Sequence, residues 1–295
     1  MDKMKRESLG DAQYYLNRLN TIRDVPTMPE VLLRLNRMFQ DEDVSIEKIG
    51  HLIETDQAIS SKILMLVNSA FFGFRSRVSS ISHALMILGF NTVRNAAISV
   101  SLVDALRIRQ SRGFDVTEFW RHSIAVAVAA KYLARQIRLS DPDNAFAAGL
   151  LHDVGKLVML QFLPELFDRA WDSVRRENLS FYEAECSCLP VDHAAIGAHL
   201  ARGWHFPPLL IEAIAHHHKP PELVEDVELL VAVHLADLAA NHFHFGALLQ
   251  TDMAGKLPGQ AMFVREQIAG ASQWFRELED EIESASGFFL EGRQP

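Results

Sequence analysis

Cysteine is nearly absent: the 295 residues hold two, Cys186 and Cys188, a single residue apart. A disulfide framework or a thiolate-rich zinc site needs more, so the pair reads as two reduced thiols. Long apolar runs are missing too. The longest, Ile124–Ala130 and Leu229–Val233, fall far short of the roughly 20 residues of a bilayer-spanning helix. The opening residues, MDKMKRESLGDAQYYLNRL, contain no apolar stretch that would serve as a secretory signal. A cytoplasmic protein with no membrane attachment is expected. Positive charge is not in surplus either, since 29 Lys and Arg face 38 Asp and Glu for a formal net charge of −9. General affinity for nucleic acid needs a basic face to neutralise phosphates, so no nucleic-acid partner is expected. Strict two-residue alternation over a strand length is scarce, and there is neither an internal repeat nor a low-complexity tract.

What is present is helical periodicity around an ordinary globular composition, 48% hydrophobic and 23% charged. Apolar spacing at i, i+3 and i+4 predicts short helices over 29–40, 45–55, 58–70, 80–88 and 92–106. Beyond Val116 the helices become richer in alanine, which lets them approach closely. They are expected over 118–137, 144–162, 164–177, 180–188, 191–203, 207–218 and 226–244, with a final helix near 260–284 after a Gly/Pro-containing linker at 250–259. The expected fold class is all-α: an N-terminal helical subdomain (1–115), a larger helical bundle core (116–248), and a C-terminal linker and helix (249–295). Residues 1–115 carry 15 basic and 13 acidic side chains, so the excess of acid lies entirely in the remainder.

That acidic part also holds polar residues where apolar ones belong. In AFAAGLLHDVGKLVML, His152, Asp153 and Lys156 interrupt a run that otherwise reads as fully buried. An unpaired buried carboxylate costs several kcal/mol or more, so such a group is normally paired or bound to a cation. Glu118 and His122 share a helical face by their four-residue spacing. His193 opens HAAIGAHLARGW, His216-His217-His218 close LLIEAIAHHH, and Asp237 lies within LLVAVHLADLAAN. Five helices thus offer imidazole or carboxylate at apolar positions, which is how bundle cores build metal sites. His122, His152, Asp153 and Asp237 suffice for one metal; Glu118, His193, His217 and His218 extend the set to two. Nitrogen and oxygen donors without thiolate suit iron, manganese, zinc or nickel without distinguishing them. Lys156, one turn after His152, is placed to meet a phosphate oxygen. Each residue has a plainer reading as a hydrogen-bonded core group, assigned to His51, His83, His199, His205, His242 and His244; His216 is one turn-end histidine too many. His234, three residues before Asp237, reads as its neighbour or supporting partner. Glu118 reads equally well as a first-turn acid favoured by the helix dipole.

The segment GLLHDVGK resembles the signature of the HD superfamily of metal-dependent phosphohydrolases. The ordered series VPTMPEVLLRLNRMFQ, ISHALMILGFNTVRN, FWRHSIAVA, GLLHDVGKLV and DHAAIGAHLARGWHFPPLLIEAIAHHHKP resembles its HDOD branch over about residues 21–220. The resemblance implies an N-terminal helical subdomain joined to an HD-like core, acting as a bacterial regulatory module and usually without catalysis. Set against the related HD-GYP phosphodiesterases, the ligand positions are complete: Glu118, His122, His152, Asp153, His193, His217, His218 and Asp237. After His218, however, comes KPPELVED, where those enzymes carry Gly-Tyr-Pro. Two readings stand. One is a signalling module with an HD-type metal site and a signalling protein partner. The other is a phosphohydrolase acting on a nucleotide or phosphoester, with Lys156 contacting phosphate. A weaker third places nucleic acid or a partner on Phe71, Phe72, Phe74, Arg75 and Arg77.

Overall fold

The computed structural model describes residues 2–22, 33–35, 38, 45–68, 77–106, 113–218, 227–243 and 270–290. Among these every regular element is a helix. In chain order they are α1 (Asp2–Thr21), α2 (Ile46–Glu54), α3 (Gln57–Val67), α4 (Ile81–Leu88), α5 (Phe90–Ala105), α6 (Val116–Gln136), α7 (Pro142–Leu151) and α8 (Val154–Phe162). There follow α9 (Pro164–Glu177), α10 (Phe181–Cys188), α11 (His193–Gly203), α12 (Pro208–His216), α13 (Val227–His242) and α14 (Glu279–Leu290), the last preceded by a helical stretch at 270–277.

Helices this short are marginal alone, and side-chain caps fix where many of them begin. The side chains of Ser45, Asp56, Ser80, Asp115, Asp141 and Asp192 each accept a backbone N–H in the first turn of the helix they precede. Ser180 and Glu183 form a reciprocal capping box at the start of α10. Asn178 ends α9 in the left-handed region, at φ 55°. Gly89, at φ 77°, turns α4 into α5.

The core is centred on α6, which packs against α7, α13 and α14. Its residues from Ser123 to Ala130 are all buried. Alanine and glycine bring the backbones together here. A Cβ on Gly149 of α7 would lie 2.8 Å from the Ala127 Cα of α6. One on Gly155 of α8 would lie 1.9 Å from the His193 carbonyl oxygen of α11. Phe114, Phe167, Trp171 and Phe181 fill the flank under α8–α10, ring against ring, each burial stabilising by about 1.5–3 kcal/mol. The N-terminal helices meet the core where α5 packs on α7. Polar side chains staple that seam: Thr92 Oγ1 donates to Asp143 (2.6 Å), Asn95 donates to Asn144 (2.8 Å), and buried Lys131 pairs with Asp143 (2.8 Å). The C-terminal helix α14 packs on α6 and α3, with Phe289 stacked near Phe146.

Three departures from the sequence reading matter. The helix expected over 144–162 is two helices, broken at His152-Asp153. A 20-residue helix, α1, occupies the N-terminus, where its polar composition gave no apolar stripe to recognise. The C-terminal helix runs to Leu290 instead of ending near 284. The linker at 250–259 and most of the helix at 29–40 lie outside the described residues. So do Phe71, Phe72, Phe74 and Arg75, while Arg77 is exposed. Pro142–Phe162 is long and apolar enough to cross a membrane by composition alone, but most of it is buried inside the fold.

Candidate metal centre

The structure brings seven of the eight candidate ligands together from five places in the chain. Asp153, in the turn between α7 and α8, lies between two groups. On one side are His193 (start of α11), His217 and His218 (just past α12). On the other are His122 (α6), His152 (after α7) and Asp237 (α13). The two carboxylate oxygens of Asp153 divide the work. Oδ1 lies 3.0 Å from His193 Nε2 and 3.5 Å from His217 Nε2. Oδ2 lies 3.4 Å from His152 Nε2 and 3.9 Å from His122 Nε2. Asp237 Oδ1 completes the second group, 3.1 Å from His122 Nε2 and 3.7 Å from His152 Nε2. His152, His193 and His217 have no solvent exposure at all.

The outer ring nitrogens fix how these imidazoles point. His152 Nδ1 donates to the Gly149 carbonyl (2.7 Å) and His217 Nδ1 to the Ile214 carbonyl (2.9 Å). His193 Nδ1 donates to Glu185 Oε2 (2.5 Å). With one proton held at Nδ1, each ring turns Nε2 inward, and in the neutral form that atom is a bare lone pair. The Nε2 atoms of His193 and His217 face each other at 3.3 Å, and His218 Nε2 is 3.0 Å from His193 Nε2. Nitrogens crowded in this way need positive charge among them, either a proton on one ring or a bound cation. Donors sharing one ion at bonds of about 2.0–2.1 Å in tetrahedral array are about 3.3 Å apart. Two buried polar atoms aimed into the cluster, His152 Nε2 and Asp153 Oδ1, have no hydrogen-bond partner. The 3.0 Å approach of His193 Nε2 to Asp153 Oδ1 does not change this, because it lacks hydrogen-bond geometry. The residues therefore fit a bound metal ion.

The electrostatics agree with a site that wants positive charge. Burial alone would raise the carboxyl of Asp153, but His152 and Lys156 hold it well below its usual range. Asp237 is likewise held low, against burial, by His122 and His152. Burial opposes charge on His152, yet Asp153 and Asp237 push it up to about 10. Burial pushes His217 down to about 4, with His152 and His193 adding to the fall and Asp153 opposing it.

The remaining predicted residues are placed differently. Glu118 does not join the cluster. Its side chain is 42% exposed and lies 3.8 Å from Arg121, which also pairs with Glu283. The position suits a first-turn acid capped by Asp115. Lys156 lies beside the cluster, but its ammonium is held by Asp153 Oδ2 at 2.6 Å and sits 5.6 Å over the Phe181 ring. His216 stands outside, next to Glu212 on its own helix. His234 supports His217 and not Asp237, donating from Nδ1 to its carbonyl at 2.6 Å. Asn241 backs Asp237, at 2.8 Å from Oδ1. Sequence reasoning missed Glu185 and Tyr182, whose ring stacks on His218 at 4.0 Å. The signal for Glu185 was a charged residue on the face of α10 that Phe181 and Ala184 bury.

The HDOD domain family model matches residues 25–220. The chain belongs to the HDOD family. Its fold is that of an HDOD-domain protein of Geobacter sulfurreducens, with a TM-score of 0.73 at 23% identity, covering 97% of this chain and 98% of that one. It also matches a Shewanella amazonensis protein whose name places it provisionally among the metal-dependent phosphohydrolases, with a TM-score of 0.64 at 22% identity over 97% of this chain and 99% of that one. Among curated proteins it is 31% identical over 215 residues to an uncharacterised Treponema pallidum protein, covering 72% of this chain and 41% of that protein. It is 33% identical over 150 residues to ribonuclease Y of Lactobacillus gasseri, covering 50% of this chain and 22% of that protein. The chain thus spans well under two thirds of these curated relatives. The HDOD match runs from before α2 through the His217-His218 turn, with α1 and Asp237 outside it.

Proposed function

We propose that this HDOD protein is a bacterial signal-transduction module whose helical core holds one or two transition-metal ions without turning over a substrate. The observation that carries the metal is the convergence of the Nε2 atoms of His193 and His217, 3.3 Å apart with both outer nitrogens engaged. Asp153, His193, His217 and His218 would hold one ion; His122, His152, Asp237 and the second oxygen of Asp153 would hold another. When bound, such ions neutralise the buried carboxylates and act as Lewis acids toward a phosphoryl oxygen or water. The chain's own residues orient the donors and keep the centre dry.

The absence of turnover rests on two features. Lys156 is committed to Asp153 and is not presented to a ligand. No Gly-Tyr-Pro segment follows the paired histidines. The output would then be a contact with a signalling protein. A second reading, hydrolysis of a nucleotide or phosphoester, is favoured by the more open edge of the cluster, where His218, Tyr182 and Lys156 are only partly buried.

Protein purified without chelator is expected to carry transition metal by elemental analysis, and His152→Ala with Asp153→Ala to lose it. Metal-free wild-type protein refutes the site. In a panel of phosphoesters and cyclic dinucleotides with Mn²⁺ or Fe²⁺, turnover above that of the double variant would favour the second reading.

A further inference from the structure

Helix α10 contributes no candidate ligand, yet three of its residues touch the cluster. Phe181 lies under the Lys156 ammonium, Tyr182 stacks on His218, and Glu185 meets His193. The Glu185 contact is the most specific. One oxygen, Oε1, accepts the backbone N–H of His193 at 3.0 Å; the other, Oε2, accepts from its ring Nδ1 at 2.5 Å. Glu185 is 1% exposed and His193 fully buried, so this is a carboxylate taken out of water to serve a single residue. A helix cap alone would need only the backbone bond. The ring bond adds something a cap does not: it fixes the proton at Nδ1, sets the rotation of the imidazole, and makes Nε2 more basic. His152 and His217 are held by neutral backbone carbonyls instead.

We propose that Glu185 is a positioning residue that orients and activates His193, so that the His193–His217–His218 half of the centre binds its ion more tightly than the His122–His152–Asp237 half. This rests on the metal reading above and extends it to an ordering of the two halves. Ser180 and Glu183 help to set the position, since their capping box fixes where α10 begins.

The test is Co²⁺ titration of chelator-stripped full-length protein, followed by visible absorption and by calorimetry, for wild type, Glu185→Gln and His217→Ala. His217→Ala identifies the binding stage that belongs to the His193 half. Glu185→Gln keeps the shape but lacks the second acceptor oxygen and the charge. It is expected to weaken that same stage by about 10- to 100-fold and leave the other unchanged. If Glu185→Gln does not fold in the metal-free state by circular dichroism, Glu185→Asp, which keeps the charge but withdraws it, carries the same expectation. Unchanged affinity at every stage, or equal weakening of both, overturns the role of Glu185 while leaving the metal site standing. No Co²⁺ uptake by wild type overturns both.

Discussion

Gly155→Ala is expected to be among the most damaging single-methyl additions in this chain. The added Cβ would lie 1.9 Å from the His193 carbonyl oxygen, 2.7 Å from its carbon and 2.9 Å from the Gly197 nitrogen, all backbone atoms. Ordinary contact begins at 3.4 Å, so α8 and α11 would have to part by about 1.5 Å. No side-chain rotation offers relief. Overpacking of a dense core costs about 1–3 kcal/mol, and a clash against backbone belongs at the upper end. At roughly 2–4 °C per kcal/mol for a chain somewhat shorter than this one, 3 kcal/mol lowers Tm by about 6–12 °C. The same separation pulls His193 from its 3.0 Å approach to Asp153, so metal content should fall too. Gly287→Ala is the control. It lies within α14 with nothing within 4 Å of its added Cβ, and helix propensity alone should stabilise it by about 0.5–1 kcal/mol. Thermal melts of the two variants should therefore move in opposite directions, and elemental analysis should show metal loss in Gly155→Ala alone. A Gly155→Ala protein that melts within a degree of wild type and keeps its metal would refute the close packing from which this follows.

Glu118→Gln should leave the bound metal unchanged by elemental analysis, because the carboxylate lies toward Arg121 and solvent; loss of an ion would mean that Glu118 turns inward to ligate. Its stability effect should stay within about 1 kcal/mol, as for exposed pairs generally. Asn68→Ala should destabilise by about 1–3 kcal/mol, since the amide bonds both the N–H and the carbonyl of Val78 (2.7 and 2.8 Å) and the Leu64 carbonyl (2.7 Å). Its metal content should be that of wild type, and an unchanged melting curve would show that this bridge does not stabilise the fold.

The helical class and most helix positions were legible because apolar residues recur at helical spacing, with alanine-rich runs along the core helices. The cluster was legible because ionisable side chains stood where burial demanded apolar ones. What escaped was set by pairing between elements. Glu185 lies in FYEAECSC on the face that Phe181 and Ala184 bury, but which group its charge serves shows only in its meeting with His193, eight residues on. For Glu118 the sequence leaves two readings open, and the placement is that of the first-turn acid. Four-residue spacing puts it on the face of His122, but at the first turn of α6 that face has already reached solvent. For His234 the sequence leaves open a supporting partner of Asp237 or a mere neighbour, and the structure has it serve the His217 backbone.

The break at His152-Asp153 explains more than a helix boundary. Consecutive residues on an uninterrupted α-helix point about 100° apart, since a turn takes 3.6 residues. A continuous helix over 144–162 would therefore aim one of the pair at the cluster and the other away. At the break His152 keeps the helical backbone, at φ −52° and ψ −40°, and Asp153 leaves it, at φ −96° and ψ 4°, so the turn re-aims the second of the pair. The second adjacent pair obeys the same rule, because α12 ends at His216 and leaves His217 and His218 in the turn beyond. In both cases the first histidine of the pair bonds from Nδ1 to the carbonyl three residues back, Gly149 or Ile214. That bond satisfies one of the carbonyls a helix leaves open at its C-terminus and fixes the ring with Nε2 inward. One local device thus ends the helix, selects the tautomer and aims the donor. It accounts for adjacent ligands occurring at two separate points in a chain whose other ligands stand alone.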